Sequence, residues 1–370
     1  MKIWTATAVA ITLTMGIVVS AQAADRTHYI AAEEVDWDYA PLGRDEMMGH
    51  AFSEDQSVFV ESGPETIGRH YRKAVYRAYT DETFTTRVER PAEWAHLGVL
   101  GPVLHAEVGD TIRVVFRNNA SRPYTMHPHG VFYDKASEGT AYNDGTSGAD
   151  KADDGVAPGA THVYEWRVPE RAGPGPNDPS SIPWLYHSHV DEPMDTNTGL
   201  VGAIIVTRAG EAHASGRPAD IEREFVTLYT VFDENLSWYL ADNTARFATA
   251  ADIDPENETF VEGNLMHAIN GYVFANIPGL DAKICESIRW YTIALGTEVD
   301  LHTPHWHGNT GLSQGHRVDT VELMPATSKV VDMQADNAGV WMFHCHVNDH
   351  IGAGMTALYR VADVPGASCD

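Results

Sequence analysis

Three segments of this chain occur twice, and that repeat limits the possible folds more than any other feature. PVLHAEVGDTIRVVF, beginning at Pro102, resembles PGLDAKICESIRWYT, beginning at Pro278. HPHG at His127 resembles HWHG at His305, and YHSH at Tyr186 resembles FHCH at Phe343. Similarity at so long a period means one structural unit present in two copies. Each copy reads as short strands between turns. TIRVVFRN over residues 111–118 follows the turn Val108-Gly109-Asp110 and has the β-branched, partly alternating character of a sandwich strand. The expectation is an all-β protein of two Greek-key β-sandwiches, and 370 residues are enough for two such cores.

The ends and joints follow from composition. Lys2, an apolar run over residues 3–19 and Ala21-Gln22-Ala23 have the order of a secretory signal peptide, expected over 1–24. No later stretch reaches transmembrane length, so no membrane anchor is expected. The first domain is expected over 25–208, a linker rich in Ala, Gly and Pro over 209–220, and the second domain over 221–370. This predicts an exported protein, periplasmic or extracellular. A net charge of -27 argues against nucleic-acid binding. Of the three cysteines, Cys285 and Cys369 can pair in an oxidising compartment if Cys345 is a metal ligand, and spacing alone leaves that open.

The chemistry is concentrated in GVWMFHCHVNDHIGAGM, residues 339–355. In an extended strand His344 and His346 face one way and Cys345 the other. Cys345, His350 and Met355 supply the thiolate, imidazole and weak thioether of a blue-copper site, leaving the two histidines free for a second centre. A buried cysteine among ordinary core histidines is the competing reading. Three further histidine clusters upstream favour metal. The first copy has Tyr124 where the second has His302, Ser188 for Cys345, about Pro193 for His350 and about Thr198 for Met355. Only the second copy is therefore expected to hold the mononuclear site, whereas paired histidines remain in both.

Together HPHG, HSH, HTPHWHG and HCHVNDHIGAGM resemble the four copper motifs of the multicopper oxidases. AAEEVDWDYAPLG and MHAING are most similar to the ceruloplasmin branch, while the two-domain layout resembles the bacterial small laccases. The resemblance implies two cupredoxin-like sandwiches and four coppers per subunit. The type 1 copper would take His302, Cys345, His350 and Met355; the type 2 copper His127 and His305; the type 3 pair His129, His187, His189, His307, His344 and His346. It also implies a homotrimer, with each trinuclear centre between the first domain of one subunit and the second domain of its neighbour. The implied activity is one-electron oxidation of a reductant coupled to reduction of O₂ to water.

The reductant is less constrained. Glu262, His267 and Asp349 match positions of the carboxylate-rich iron site of ceruloplasmin-type ferroxidases, and hard oxygen ligands suit iron. Laccases also place a carboxylate here to take a phenol proton, so Asp349 alone does not separate Fe(II) from a phenol. The lean is to Fe(II); the competing structural reading has Glu262 capping a turn and His267 buried. Cuprous ion lacks the support of a Met-rich insertion. The carbonyl of Lys135 with Asp150, Asp153 and Asp154 resembles a cation-binding loop suited to calcium, against the alternative of a solvated acidic loop. A copper nitrite reductase would carry its type 1 site in the first domain and lack the HSH and HCH pairs. A copper electron carrier would leave the paired histidines unexplained.

Overall fold

A computed structural model of the chain describes residues 23–250 and 253–369, so the expected signal peptide, apart from Ala23 and Ala24, lies outside the described residues. Eight strands precede residue 208: β1 (Asp25–Asp38), β2 (His70–Tyr79), β3 (Leu104–Glu107), β4 (Thr111–Asn118), β5 (His127–Pro128), β6 (Thr161–Arg167), β7 (Ser181–His187) and β8 (Val201–Thr207). Ten follow. They are β9 (Arg223–Asp233), β10 (Leu265–Ile269), β11 (Asp281–Lys283), β12 (Ser287–Ala294), β13 (Pro304–Trp306), β14 (Gly311–Ser313), β15 (His316–Val318), β16 (Ser328–Gln334), β17 (Gly339–Cys345) and β18 (Thr356–Ala362).

The sheets express the repeat. The first set forms the orders β2-β1-β4-β6 and β3-β8-β7-β5, and the second forms β10-β9-β12-β16 (extended by β14 and β15) and β11-β18-β17-β13. Corresponding neighbours even share direction: β1 with β4 and β9 with β12 are parallel, as are β3 with β8 and β11 with β18. The fold is thus the expected pair of Greek-key sandwiches.

Each sandwich closes on its own core. In the first, Ile112, Val114 and Phe116 of β4 meet Tyr186 of β7 and Ile204 and Val206 of β8. In the second, Trp290, Phe343, Cys345 and Tyr359 are central. A third core joins the two. VGAIIVT in β8 is buried at every position because its two faces serve different cores: Ile204 and Val206 face their own sandwich, while Val201, Ala203 and Ile205 meet Val226, Leu228 and Phe232 of β9. A strand covered on both faces reads as a continuous apolar run rather than an alternating one. Cys285 and Cys369 form a disulfide, which resolves the pairing left open by spacing.

Candidate metal centres

β17 and the turn after it build the first centre. Extended geometry sends Cys345 into the apolar core, where it is fully buried. His350 returns on the short helix Asn348–Gly352, and His302 is held by backbone bonds to Leu323 in both directions. The Nδ1 atoms of His302 and His350 lie 3.1 Å apart, at 3.8 and 3.5 Å from Cys345 Sγ. Met355 is fully buried beside them, its carbonyl accepting the N–H of Cys345 at 3.1 Å. A thiolate, two convergent imidazole nitrogens and a nearby thioether are the soft set that copper takes.

Electrostatics favour the ligating thiolate of Cys345. Burial pushes the Cys345 thiol up, but hydrogen bonds from His302 and His350 and from the backbone N–H groups of Thr303 and Val347 outweigh it and bring it down to about 6. Burial works against a proton on His302, yet the hydrogen bonds to Asp300 and Cys345 raise it overall. Asp300 Oδ1 accepts from His302 Nε2 at 3.2 Å and is itself held by the N–H of Val231 at 2.6 Å. This carboxylate fixes the ring so that Nδ1 faces the centre. Sequence reading passed over Asp300; a carboxylate two residues before a ligand histidine was the signal available.

The other eight histidines expected as ligands form two groups of four. In the second sandwich β13 and β17 pair His305 with His344, placing His305 Nδ1 3.2 Å from His344 Nε2. His307 Nε2 lies 3.1 Å from the same nitrogen, and the His346 ring is 5.3 Å from that of His305. In the first sandwich the equivalent register pairs His127 with His187. There His129 and His187 bring their Nε2 atoms within 3.0 Å, and the His127 ring lies 5.1 to 5.6 Å from the other three. Contacts at Nδ1 orient several rings: Glu138 carbonyl for His127 (2.6 Å), Thr140 Oγ1 for His189 (2.9 Å) and Cys345 carbonyl for His344 (2.7 Å). Burial, reinforced by neighbouring imidazoles, lowers His187 to about 3 and His129 and His344 to about 4. They stand as the neutral, metal-binding imidazole at neutral pH.

The glycine that ends each H-x-H-G motif has a physical reason. Gly130 and Gly308 both have φ of +72°, and a Cβ would lie 2.0 Å from the Trp184 ring at the first and 2.4 Å from the Trp341 ring at the second. Among the described residues, no histidine ring of one group packs against a ring of the other.

The residues expected at a substrate site are placed less tightly. The His267 ring is 5.1 Å from that of His350, and burial followed by the His350 charge lowers its pKa to about 4. Glu262 is exposed near the end of the helix Glu258–Gly263, whose N-cap is Asn257 rather than a glutamate, and Asp349 is exposed just before His350. In the acidic loop Asp153 is buried, with Oδ2 accepting from the Gly139 N–H at 2.7 Å. Asp154 pairs with Lys151 at 3.1 Å, the Lys135 ammonium pairs with Glu138 and Asp144, and Asp150 is exposed.

A family model described as multicopper oxidase matches residues 79–211, and a second with the same description matches residues 249–364. The chain is 45% identical over 356 residues to the ferroxidase HEPHL1 of Mus musculus, covering 95% of this chain and 30% of that protein. It is 44% identical to hephaestin of Rattus norvegicus (91% and 29% covered) and 41% identical to ceruloplasmin of Homo sapiens (91% and 31% covered). The chain therefore spans about a third or less of the length of these curated relatives. A solved structure titled as a multicopper oxidase superposes with a TM-score of 0.56 at 20% identity, covering 91% of this chain and 89% of that one, which speaks to fold alone.

Proposed function

Since this chain belongs to the multicopper oxidases, we propose that it couples one-electron oxidation of Fe(II) to four-electron reduction of O₂ to water. The observation that carries the reading is the adjacency of Cys345 and His344 in one strand. Cys345 Sγ belongs to the buried three-ligand group and His344 Nε2 to the second group. Copper would supply reversible one-electron chemistry at the first centre and O₂ reduction at the second. The chain's own part is to hold the centres in fixed relation. Cys345, His302, His350 and Met355 would hold the type 1 copper, and Asp300 orients His302. His344 and His346 flank Cys345, so two covalent paths, each through one peptide unit, would connect the centres. His127 and His305 are assigned to type 2 copper, and His129, His187, His189, His307, His344 and His346 to type 3.

Fe(II) is favoured over a phenol by His267, whose ring stacks beside His350, and by two exposed carboxylates, Glu262 and Asp349, on the segments next to that pair. Calcium in the loop of Lys135, Asp150, Asp153 and Asp154 belongs to the same reading, supported by the buried Asp153 Oδ1, which has no hydrogen-bond partner. Each chain carries two separate groups of four histidines, so a complete trinuclear centre calls for the first sandwich of one copy against the second of another. A homotrimer closes that arrangement. The disulfide fits export to an oxidising compartment, and no helix among the described residues is long and apolar enough to cross a membrane.

O₂ uptake by the copper-loaded protein with Fe(II) and with 2,6-dimethoxyphenol tests the reading, run beside Glu262→Ala and Asp349→Ala. Fe(II) turnover that falls in both variants while phenol oxidation survives is the expected result. Dominant phenol turnover indifferent to Glu262 would make the protein a laccase, and no uptake with either donor would remove the oxidase reading.

A further inference from the structure

A cavity of about 570 Å³ lies where β2, the chain that follows it and Tyr272 of the second sandwich meet, and it shares no residue with the metal centres. Four arginines line it (Arg77, Arg87, Arg90 and Arg217) against one acid, Glu89. In a chain of net charge -27 that is a local reversal of sign. Two of the four are already balanced. Arg87 pairs with Glu33, and Arg217 pairs with Glu224 at 2.6 Å and Glu93 at 3.4 Å.

The other two are not. Arg90 donates to the carbonyls of Gly98 and Leu100 at 2.8 and 2.6 Å, which fixes its guanidinium without neutralising it. Among the described residues the Arg77 side chain makes no hydrogen bond or ion pair. Burial is the main influence on Arg77 and lowers it to about 10, with Arg90 the next contributor and Glu33, already paired with Arg87, opposing them. A half-buried guanidinium with no acceptor is costly to keep. An anion from solution would compensate it, and guanidinium geometry suits a carboxylate or a phosphate. The walls are aromatic and fixed. Trp37 is anchored by its Nε1 to the Gly271 carbonyl at 2.7 Å and packs on Tyr272 at 5.1 Å, and Trp94 lies under the Arg217 guanidinium at 5.4 Å. The volume is that of a small-molecule site.

We propose that this cavity binds a small aromatic carboxylate, its acid group on Arg77 and Arg90 and its ring between Trp37 and Trp94. The site is independent of the copper reading.

The test is calorimetric titration of the copper-loaded full chain with benzene-1,3-dicarboxylate and, separately, with inorganic phosphate. The dicarboxylate should bind at least about tenfold more tightly than phosphate, a difference of about 1.4 kcal/mol. Arg77→Gln should weaken dicarboxylate binding at least tenfold without lowering the Tm, because the Arg77 side chain has no hydrogen bond or ion pair to lose. Trp94→Leu should weaken the dicarboxylate and leave phosphate unchanged, which tests the aromatic wall separately. Absence of dicarboxylate binding, binding unaltered in Arg77→Gln, or equal affinity for phosphate would each overturn the proposal.

Discussion

Ser188 stands in the first sandwich where Cys345 stands in the second: the N–H of Thr125 donates to Ser188 Oγ at 3.0 Å, and the N–H of Thr303 donates to Cys345 Sγ at 3.4 Å. Around the serine the other ligand places have become a closed polar network. Ser188 donates to Asp195 Oδ2 at 2.7 Å, Trp238 Nε1 donates to Asp195 Oδ1 at 2.9 Å, and Tyr124, in the place of His302, meets the Tyr239 hydroxyl at 3.3 Å. Ser188→Cys should therefore create no second blue-copper site. It should instead cost about 1–3 kcal/mol by breaking the bond to buried Asp195. Copper analysis and visible absorption of the variant check this, and a new blue band would count against it.

Asp300 should act on the first centre through His302. Asp300→Asn can still accept the Val231 N–H through its one amide oxygen, but it loses the acceptor for the Thr297 N–H and the charge that holds His302 Nε2. The expected outcome is a loss of about 10–100-fold in affinity at the type 1 site. Competition with a chelator, followed by the blue absorption, measures it; the histidine groups should keep their copper.

His96 should set part of the acid limb of stability. It is fully buried in the turn Ala92–Leu97, with Nε2 accepting the Val226 N–H at 3.2 Å across the sandwich junction. Burial, aided by Arg90 and Arg223 and opposed by Glu93 and Glu224, lowers it from 6.5 to about 3. Above pH 6.5 the ring is neutral folded and unfolded. As pH falls below 6.5 only the unfolded chain takes the proton, so stability is lost from there down toward pH 3. His96→Gln keeps an acceptor without titrating. Urea unfolding at several pH values should give a shallower decline between pH 6 and 4 for the variant than for the parent, and equal slopes would refute the assignment.

Lys73 and Glu234 form an ion pair at full burial between the sandwiches. Lys73 also donates to the Asn197 carbonyl at 2.8 Å, and Glu234 accepts from the Tyr39 hydroxyl at 2.6 Å. Burial drives both toward neutrality, raising Glu234 and lowering Lys73. Lys73→Met should destabilise by about 3–5 kcal/mol because it strands a buried carboxylate. Adding Glu234→Gln should recover part of that loss. A double-mutant cycle in denaturant measures the coupling, and additive losses would show that the pair is not coupled.

The candidate metal ligands were legible because strand geometry encodes them locally. Alternation over His344, Cys345 and His346 sends one side chain inward and two outward within three residues, and the repeat fixed which positions correspond. The two-sandwich fold was legible for the same reason, since β-branched alternation and turns need only neighbouring residues. Asp300, the Ser188–Asp195 network, the Lys73–Glu234 pair and the cavity around Arg77 were not, and the Cys285–Cys369 bridge was legible only as a possible pairing. Lys73 and Glu234 lie 161 residues apart, and no local period records such a partnership. The amino-acid sequence determined the chemistry each strand can offer. Which groups meet, and which charges are left without a partner, was decided only when the sandwiches packed, because burial and proximity across the chain are properties of that packing.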